Sequence, residues 1–377
     1  MNALGIYVHW PYCAAICPYC DFNVYRARGA ENAPLIDAIA ADLRAHGQRF
    51  GRRTASSLFF GGGTPSLMRG GELARLIEAA LQAFALTEDC EITLEANPED
   101  AALFAEQAAA GINRFSIGAQ AFDDAALHAL GRRHNAAASL RAVDAAAATG
   151  QRVSLDLIYA REGQSIEAWR EELNAALSLP VEHVSLYQLT IEAETAFARR
   201  VARGQLKPPD NDLAASLYEA TQDVCARAGF DAYEISNHAR APAARSRHNL
   251  IYWRNQDWIG VGPGAHGRIN HGGARLALES QRRPSDYIDA VHENGVGWIT
   301  EATLTGEEAA DEALLMGLRT DEGIDPAPIA ALRGRQIRPD ALAWLIEESF
   351  VIHDAGRIRL TSRGRIVANT VAAELAV

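Results

Sequence analysis

The sequence predicts an α/β fold, a partial, open TIM-like barrel of six βα units that is followed by a small α+β domain. Short apolar strands alternate with helices along the first 230 or so residues, and successive βα units form a parallel sheet with helical crossovers. Glycine, cysteine and acidic residues also follow the predicted strands closely. In parallel barrels this edge of the sheet carries the ligand site.

The predicted elements of the barrel follow from hydrophobic periodicity. Strands are predicted at 4–9, 57–60, 91–95, 114–118, 153–159 and 183–189. Helices are predicted at 33–49, 72–85, 99–109, 123–130, 136–149, 166–178 and 211–228. Six units favour an open partial barrel, since a closed barrel of this type needs eight.

The alternation of strands and helices weakens beyond residue 230. Residues 239–285 are rich in Arg, Gly, Asn and His and are predicted as loops with short strands. The last part of the chain predicts a winged-helix-like pattern, with helices at 307–318, 326–333 and 340–348, strands at 351–353 and 357–361, and a helix to about 375. The predicted domains are a core barrel (1–235), a barrel extension (236–300) and a winged-helix-like domain (301–377).

Charge and hydropathy exclude two classes of function. The net charge is 36 minus 48, or −12, and an acidic surface repels nucleic-acid phosphates. We therefore expect no nucleic-acid partner, and expect the C-terminal domain to contact protein. The chain has neither the pattern of a signal peptide at its start nor an apolar run of about 18 residues, so a cytoplasmic location is expected. The oligomeric state is not indicated.

Three cysteines lie within eight residues, at Cys13, Cys17 and Cys20. Thiolates are ligands for zinc or for iron–sulfur clusters. A structural zinc site needs a fourth ligand, which would have to come from a distant part of the chain, and free cysteines are the other alternative. A cubane cluster held by three cysteines leaves one iron open. Cys90 and Cys225 stand alone and are predicted to be small buried hydrophobic residues.

Two further features lie at predicted strand ends. Glycines 61–63 follow the second strand, where glycine permits positive φ and close approach to a ligand; a tight βα turn is the alternative. Glu95 ends the third strand. Its carboxylate could accept hydrogen bonds from two hydroxyls, as a ribose offers, or it could cap a helix or form a buried ion pair.

Taken together, these motifs resemble the HemN/HemW group of radical S-adenosylmethionine (SAM) proteins. The resemblance is carried by segments 7–13, 17–23, 61–66 and 248–255, and extends from residue 4 to about 270. It implies a barrel of the radical SAM type and a [4Fe–4S] cluster on the three cysteines. It also implies that SAM chelates the open iron, where one electron would cleave it to methionine and a 5′-deoxyadenosyl radical.

The resemblance also implies which residues contact SAM. An arginine pairs with a carboxylate bidentately, so Arg132 suits the SAM carboxylate. Tyr7 and Tyr19 would flank the cluster, or would serve as core aromatic residues. The implied SAM residues are Gly62, Gly63, Thr64, Glu95, Gln120, Arg132 and Asp156.

Segment 248–252 resembles the HNxxY heme-binding motif of this group, with His248 and Tyr252 as its defining residues. Imidazole is a common axial ligand of heme iron. The alternative is that His248 is a polar surface residue in an arginine-rich loop. Two other histidines stay open: His9 could lie beside the cluster or cap a strand end, and His266 has no assigned role.

The group contains an oxygen-independent coproporphyrinogen III oxidase and a heme chaperone. The oxidase has a further cysteine two places after the third cluster ligand, where this chain has Phe22. The oxidase also carries a long segment before its first strand, which here is predicted to begin near Met1. Both differences favour a chaperone that binds heme and delivers it to acceptors, with respiratory proteins at the membrane implied. The alternatives are oxidative decarboxylation of porphyrinogen propionates and radical SAM chemistry on another substrate.

Overall fold

The computed structural model describes residues 4–27, 29 and 32–376. The outer limits predicted for the domains, residues 1 and 377, lie outside this range. The strands are β1 Leu4–Trp10, β2 Tyr12–Cys13, β3 Tyr25–Arg26, β4 Thr54–Gly62, β5 Ala85–Ala96, β6 Arg114–Gln120, β7 Arg152–Tyr159, β8 His183–Gln188, β9 Asp231–Ala232, β10 Asn237–Ala239, β11 Asp257–Val261, β12 His266–His271, β13 Ala274–Ser280, β14 Trp298–Thr303, β15 Val351–Asp354 and β16 Arg357–Leu360.

Most helices connect successive strands of the barrel, and a further set forms the C-terminal domain. Short 3₁₀ turns occur at Pro65–Leu67, Pro98–Leu103 and Pro242–Ala244. The α-helices are α1 Asn32–Phe50, α2 Gly70–Ala83, α3 Phe104–Ala109, α4 Asp124–Ala129, α5 Ala136–Ala148, α6 Ile166–Leu177, α7 Ala196–Ala202, α8 Asn211–Arg227, α9 Arg247–Trp253, α10 Pro284–Asn294, α11 Gly306–Gly317, α12 Pro326–Arg333, α13 Pro339–Glu347, α14 Ser362–Ile366 and α15 Ala368–Ala376.

A continuous sheet organises the first 303 residues, in the order β14-β13-β12-β11-β1-β4-β5-β6-β7-β8-β10-β9. The neighbouring strands β1, β4, β5, β6, β7 and β8 are all parallel, and β11 pairs in parallel with the other side of β1. In the described residues this order is open, with β14 and β9 at its edges. The prediction of an α/β fold around a parallel sheet is confirmed.

The strands of the barrel have one apolar and one polar face, because side chains alternate along a strand. The outward residues pack under the helices in the main core, as Leu94, Phe115 and Leu155 do. The inward residues are polar, and they include Glu95 and Asp156. The barrel interior is therefore a polar chamber rather than a packed apolar core.

The region 239–285, predicted as loops with short strands, is more ordered than expected. It contains α9, the buried parallel strand β11 and the hairpin of β12 and β13. Buried ion pairs explain the difference: Asp257 accepts hydrogen bonds from Arg53 at 2.6 Å and from Arg275 at 3.2 Å. Paired charges are stable in the interior, so a polar composition did not here indicate an exposed loop.

Segment 242–253 closes the amino-terminal end of the parallel strands. The Arg114 guanidinium donates to the carbonyl of Ala244 at 3.0 Å, and the backbone N–H of Arg247 donates to Glu91 Oε1 at 2.9 Å. Both contacts come from interior side chains of β5 and β6. We call this segment the barrel floor.

The C-terminal domain has an apolar core of its own, formed by residues such as Leu314, Leu345 and Val371. Three helices and the β15–β16 hairpin follow one another as predicted, and two helices, α14 and α15, then occupy the segment for which a single final helix was predicted. The domain also contacts the barrel floor: Arg245 pairs with Asp321 at 2.7 Å.

Candidate functional site

A cavity of about 390 Å³ opens at the carboxyl-terminal ends of the parallel strands. Most of the predicted site residues line it together, although they come from widely separated parts of the sequence. We call it the upper cavity. Its lining includes Cys13, Cys17, Cys20, Tyr19, Gly62, Gly63, Thr64, Glu95, Gln120, Arg132 and Asp156.

The cysteine loop is closed at its base by β2 and β3, where Ala27 N–H donates to the Cys13 carbonyl at 2.9 Å. Burial raises the pKa of the Cys13 thiol and raises that of Cys20 to about 11, and neighbouring thiols add to both shifts. The thiols are therefore close enough to interact electrostatically. Within the described ranges, no three His, Cys, Asp or Glu side chains are arranged to hold a metal ion; a cubane cluster is wider than an ion and its ligands stand further apart.

Glycines 62 and 63 leave a cradle beside the cysteine loop. A Cβ on Gly63 would lie 3.0 Å from Cys13 Sγ and 2.7 Å from the Tyr12 carbonyl. Gly62 has φ of +107°, and a Cβ there would lie 2.6 Å from the His9 ring. A side chain on Gly63 would collide with the cysteine loop and one on Gly62 with the His9 ring, so close approach requires glycine at both positions, and backbone conformation also requires it at Gly62.

Glu95 and Asp156 form an acidic pair at the base of the upper cavity. Burial raises the pKa of Glu95 to about 8, and repulsion by Asp156 adds to this shift. Glu95 Oε2 accepts the Gly62 N–H at 3.0 Å. Burial also raises the pKa of Asp156 to about 6, although Ser185 and Ser116 donate hydrogen bonds to it. A carboxyl that is buried, but faces a cavity, can exchange hydrogen bonds with a polar ligand.

Gln120 and Arg132 occupy the opposite wall. Gln120 ends β6 with φ of +67°, a strained value for a residue other than glycine and one found often at binding sites. Arg132 donates from Nη2 to the Gly118 carbonyl at 2.9 Å, and its Nη1 lies 3.7 Å from Cys17 Sγ. The guanidinium is thereby held beside the cysteine loop, where it can meet an anionic ligand group.

The remaining predicted residues do not line the upper cavity. Tyr7, His248 and Tyr252 line a second cavity of about 270 Å³ inside the barrel, the inner cavity. Glu95 and Asp156 line both cavities, so the two spaces meet at the acidic pair. The structure thus divides the predicted residues between a site at the carboxyl end of the sheet and a chamber toward the barrel floor.

His248 is enclosed in the inner cavity. Its Nδ1 hydrogen-bonds Ser57 Oγ at 2.9 Å and its Nε2 hydrogen-bonds the Tyr252 hydroxyl at 2.7 Å. Its ring stacks on Phe59 with centroids 4.8 Å apart. Burial lowers the pKa of His248 to about 3, so the imidazole is neutral. The expectation that His248 could be a polar surface residue is wrong, since the side chain is buried on a helix.

Comparisons with known proteins place these features in a family. Residues 7–176 match the Radical SAM superfamily and residues 304–367 match the HemN C-terminal domain. A heme chaperone HemW of Bacillus subtilis is 33% identical over 374 residues, covering 97% of each chain. A mitochondrial radical S-adenosyl methionine domain-containing protein 1 of Mus musculus is 41% identical over 85% of this chain and 74% of its own length. The chain belongs to the HemN/HemW group.

A solved structure agrees with this assignment at the level of fold. The coproporphyrinogen III oxidase HemN of Escherichia coli superposes with a TM-score of 0.82 at 21% identity, covering all of this chain and 90% of that one. The resemblance to the HemN/HemW group inferred from sequence is confirmed. Among the described residues, no helix has the length and apolar character needed to cross a bilayer.

Sequence reasoning missed several residues of this HemN/HemW site. Ser116 and Tyr187 line both cavities. The alternation of side chains along a strand could have identified Ser116. It lies two residues after Arg114 and two before Gly118 on one predicted strand, so all three share a face. Grouping the alternate polar residues of all the predicted strands would have predicted a polar cavity inside the barrel.

Phe22 marks the rim of the upper cavity in this member of the HemN/HemW group. Its side chain is 62% exposed and lines the cavity mouth, although large apolar side chains are usually buried. The position that carries a cysteine in the oxidase pattern is therefore occupied here by an apolar group facing solvent.

Proposed function

We propose that the protein is a heme chaperone, which binds heme and delivers it to acceptor proteins, and which holds a [4Fe–4S] cluster and SAM in the upper cavity. The observation that carries the proposal is the similarity to bacterial proteins named heme chaperone HemW over nearly the whole of both chains. Phe22 supports it, because the oxidase pattern has a cysteine there. The acceptors implied are respiratory proteins at the membrane, and the implied location is cytoplasmic.

The residues of the upper cavity fit the cluster and SAM. Cys13, Cys17 and Cys20 would bind the cluster as thiolates. Gly62 and Gly63 line the same cavity, and their lack of side chains lets this backbone lie close to Cys13 and to the His9 ring. When bound, the cluster and SAM would supply one-electron chemistry at the open iron.

The other upper-cavity residues would orient SAM. Glu95 Oε2 accepts a hydrogen bond from the Gly62 N–H, so Oε1 would be available to accept one from a ribose hydroxyl. Arg132 would pair with the SAM carboxylate, and Gln120, Asp156 and Thr64 would complete the polar lining. Tyr19 would pack beside the cluster.

The inner cavity does not fit a heme in the described conformation. Both ring nitrogens of His248 are engaged, and the volume of about 270 Å³ is below the range of roughly 300–1,000 Å³ typical for sites of drug-sized ligands. The assignment of heme to His248 and Tyr252 therefore stays a prediction, and it requires the barrel floor to open. Tyr7, which stacks on His248 with centroids 6.2 Å apart, belongs to the same enclosure.

The deciding experiment is anaerobic turnover of the reconstituted, reduced protein with SAM and coproporphyrinogen III. Formation of 5′-deoxyadenosine and of protoporphyrinogen IX would be followed in the same sample, with heme binding measured by absorbance in parallel. Heme binding without porphyrinogen conversion is expected. Protoporphyrinogen formed with stoichiometric SAM cleavage would instead identify an oxidase and overturn the proposal.

A further inference from the structure

The cysteine loop meets the barrel extension at Asn23. The Asn23 side-chain amide donates to the carbonyl of Pro263 at 2.9 Å and to the carbonyl of Arg282 at 2.7 Å. Carbonyl oxygens only accept hydrogen bonds, so the amide nitrogen, and not its oxygen, must face them. One side chain three residues beyond Cys20 thus joins two separate turns of the extension.

The backbone of Asn23 is held as well. Its carbonyl hydrogen-bonds His9 Nε2 at 2.9 Å, and since a carbonyl can only accept, Nε2 carries the proton. His9 Nδ1 is then the acceptor for the Tyr7 hydroxyl, 3.0 Å away. His9 is therefore an anchor between the first strand and the cysteine loop.

The turn of the extension is shaped to receive Asn23. Gly264 has φ of +79°, and a Cβ there would lie 2.6 Å from Asn23 Nδ2. A Cβ on Gly262 would lie 2.3 Å from the His9 carbonyl. Gly264 is thus required by close approach to Asn23, and Gly262 by close approach to the backbone of β1.

We propose that Asn23 is a positioning residue, which fixes the cysteine loop against the barrel extension and so sets the geometry of the three thiols around the cluster. The proposal rests on the cluster assignment made above. Asn23 donates two hydrogen bonds and accepts two, one at its carbonyl from His9 and one at Oδ1 from the Tyr25 hydroxyl at 3.3 Å, which leaves the end of the loop little freedom. The extension that carries α9 is thereby connected to the cluster loop through the Asn23 amide and through the Tyr25 hydroxyl, which donates to the Arg282 carbonyl at 3.1 Å.

Asn23→Asp tests the proposal, because a carboxylate has nearly the same shape but can only accept hydrogen bonds. It would oppose two carbonyls instead of bonding to them. We expect the reconstituted, reduced variant to release iron to a ferrous chelator several-fold faster than the parent, with an altered EPR spectrum of the reduced cluster. The matched control is Asn294→Asp, at an exposed position at the end of α10, which should match the parent.

Gly264→Ala tests the same contact from the other side and should also speed iron release. Parent-like release rates and EPR spectra in both variants would overturn the proposal. A lower melting temperature with an unchanged EPR spectrum would also overturn it, because the role would then concern only the fold. A parent protein that assembles no cluster would refute the cluster assignment itself, which keeps the two failures distinct.

Discussion

The Tyr252 hydroxyl lies 2.7 Å from Nε2 of His248, so the two residues predicted to bind heme are hydrogen-bonded to each other. Ser57 occupies the other ring nitrogen. A nitrogen in a hydrogen bond cannot coordinate iron until that bond breaks. The described arrangement is therefore a closed state of the motif, and its opening would require the barrel floor, with α9, to move away from Ser57 on β4.

Replacing His248 by Ala should weaken heme binding and leave the cluster spectrum unchanged. The two sites lie at opposite ends of the sheet: Ser57, which contacts His248, is five residues before Gly62 on β4, or about 17 Å at ~3.3 Å per residue. Heme titration followed by absorbance, with EPR of the reduced cluster, measures both effects.

The matched control is His183→Ala, which removes another buried imidazole from the same cavity. Equal loss of heme binding in both variants would indicate general loosening of the barrel. Unchanged heme binding in His248→Ala would show that heme is held elsewhere.

The C-terminal domain should restrain α9. Arg254, just after α9, bonds Glu322 at 3.0 Å from Nε, and Arg245 pairs with Asp321. Ion pairs exposed to this degree contribute about 0–1 kcal/mol each. The double variant Asp321→Asn and Glu322→Gln should therefore speed amide hydrogen exchange in 248–253 by about fivefold, the factor for a combined loss of about 1 kcal/mol.

Mass spectrometry of exchange-labelled peptides would measure this change. Asp354→Asn provides the control, because it removes an exposed ion pair with Arg359 inside the C-terminal domain. Unchanged exchange across α9 in the double variant would mean that the domain does not restrain the barrel floor.

Replacing Cys17 by Ser should abolish the [4Fe–4S] cluster, since serine does not supply a thiolate. Iron content and the absorbance of the reconstituted protein would measure the loss. Cys90→Ala should retain the cluster, because Cys90 is buried away from the upper cavity. A full cluster signal in the Cys17 variant would refute the ligand assignment.

Glu95 should make the free energy of unfolding depend on pH. Its folded pKa of about 8 lies above its ordinary value of 4.5, so the folded state binds more protons than the unfolded state between these limits. Stability is then lost as pH rises from about 4.5 to about 8. Glu95→Gln removes this contribution, and its stability relative to the parent should increase with pH across that window.

Urea denaturation at several pH values between 4.5 and 8, without SAM, would measure this difference. Glu99→Gln, an exposed carboxyl at the same cavity, should follow the parent. Parallel curves for the parent and the Glu95 variant would mean that folding does not raise the pKa of Glu95.

The sequence was sufficient for the strands of the barrel and for many residues of the upper cavity, although Ser116 and Tyr187 were missed. Strand periodicity is local, and the parallel arrangement brings strand ends together wherever they lie in the chain. Cys13, Glu95 and Asp156 could therefore be expected at one site from their positions after or within successive strands.

The barrel floor could not be predicted in the same way. Its burial depends on partners far away in sequence, such as Glu91, which accepts the backbone N–H of Arg247, and Ser57, which hydrogen-bonds His248. No local pattern in an arginine-rich segment indicates such partners. For the same reason the cysteine motif could not predict the hydrogen bonds that the Asn23 side chain donates, because their acceptors lie about 240 and 259 residues away.

The position of β1 between β4 and β11 limits how the chain can be divided. A fragment ending at residue 235 would lack β11 and would expose the apolar strand Leu4–Trp10 as an unprotected edge, which is a template for aggregation. A fragment ending after β14 would keep every strand of the sheet paired as it is here. A fragment in which β1 is paired on both sides must therefore extend well past the radical SAM region, beyond the end of β11 at Val261.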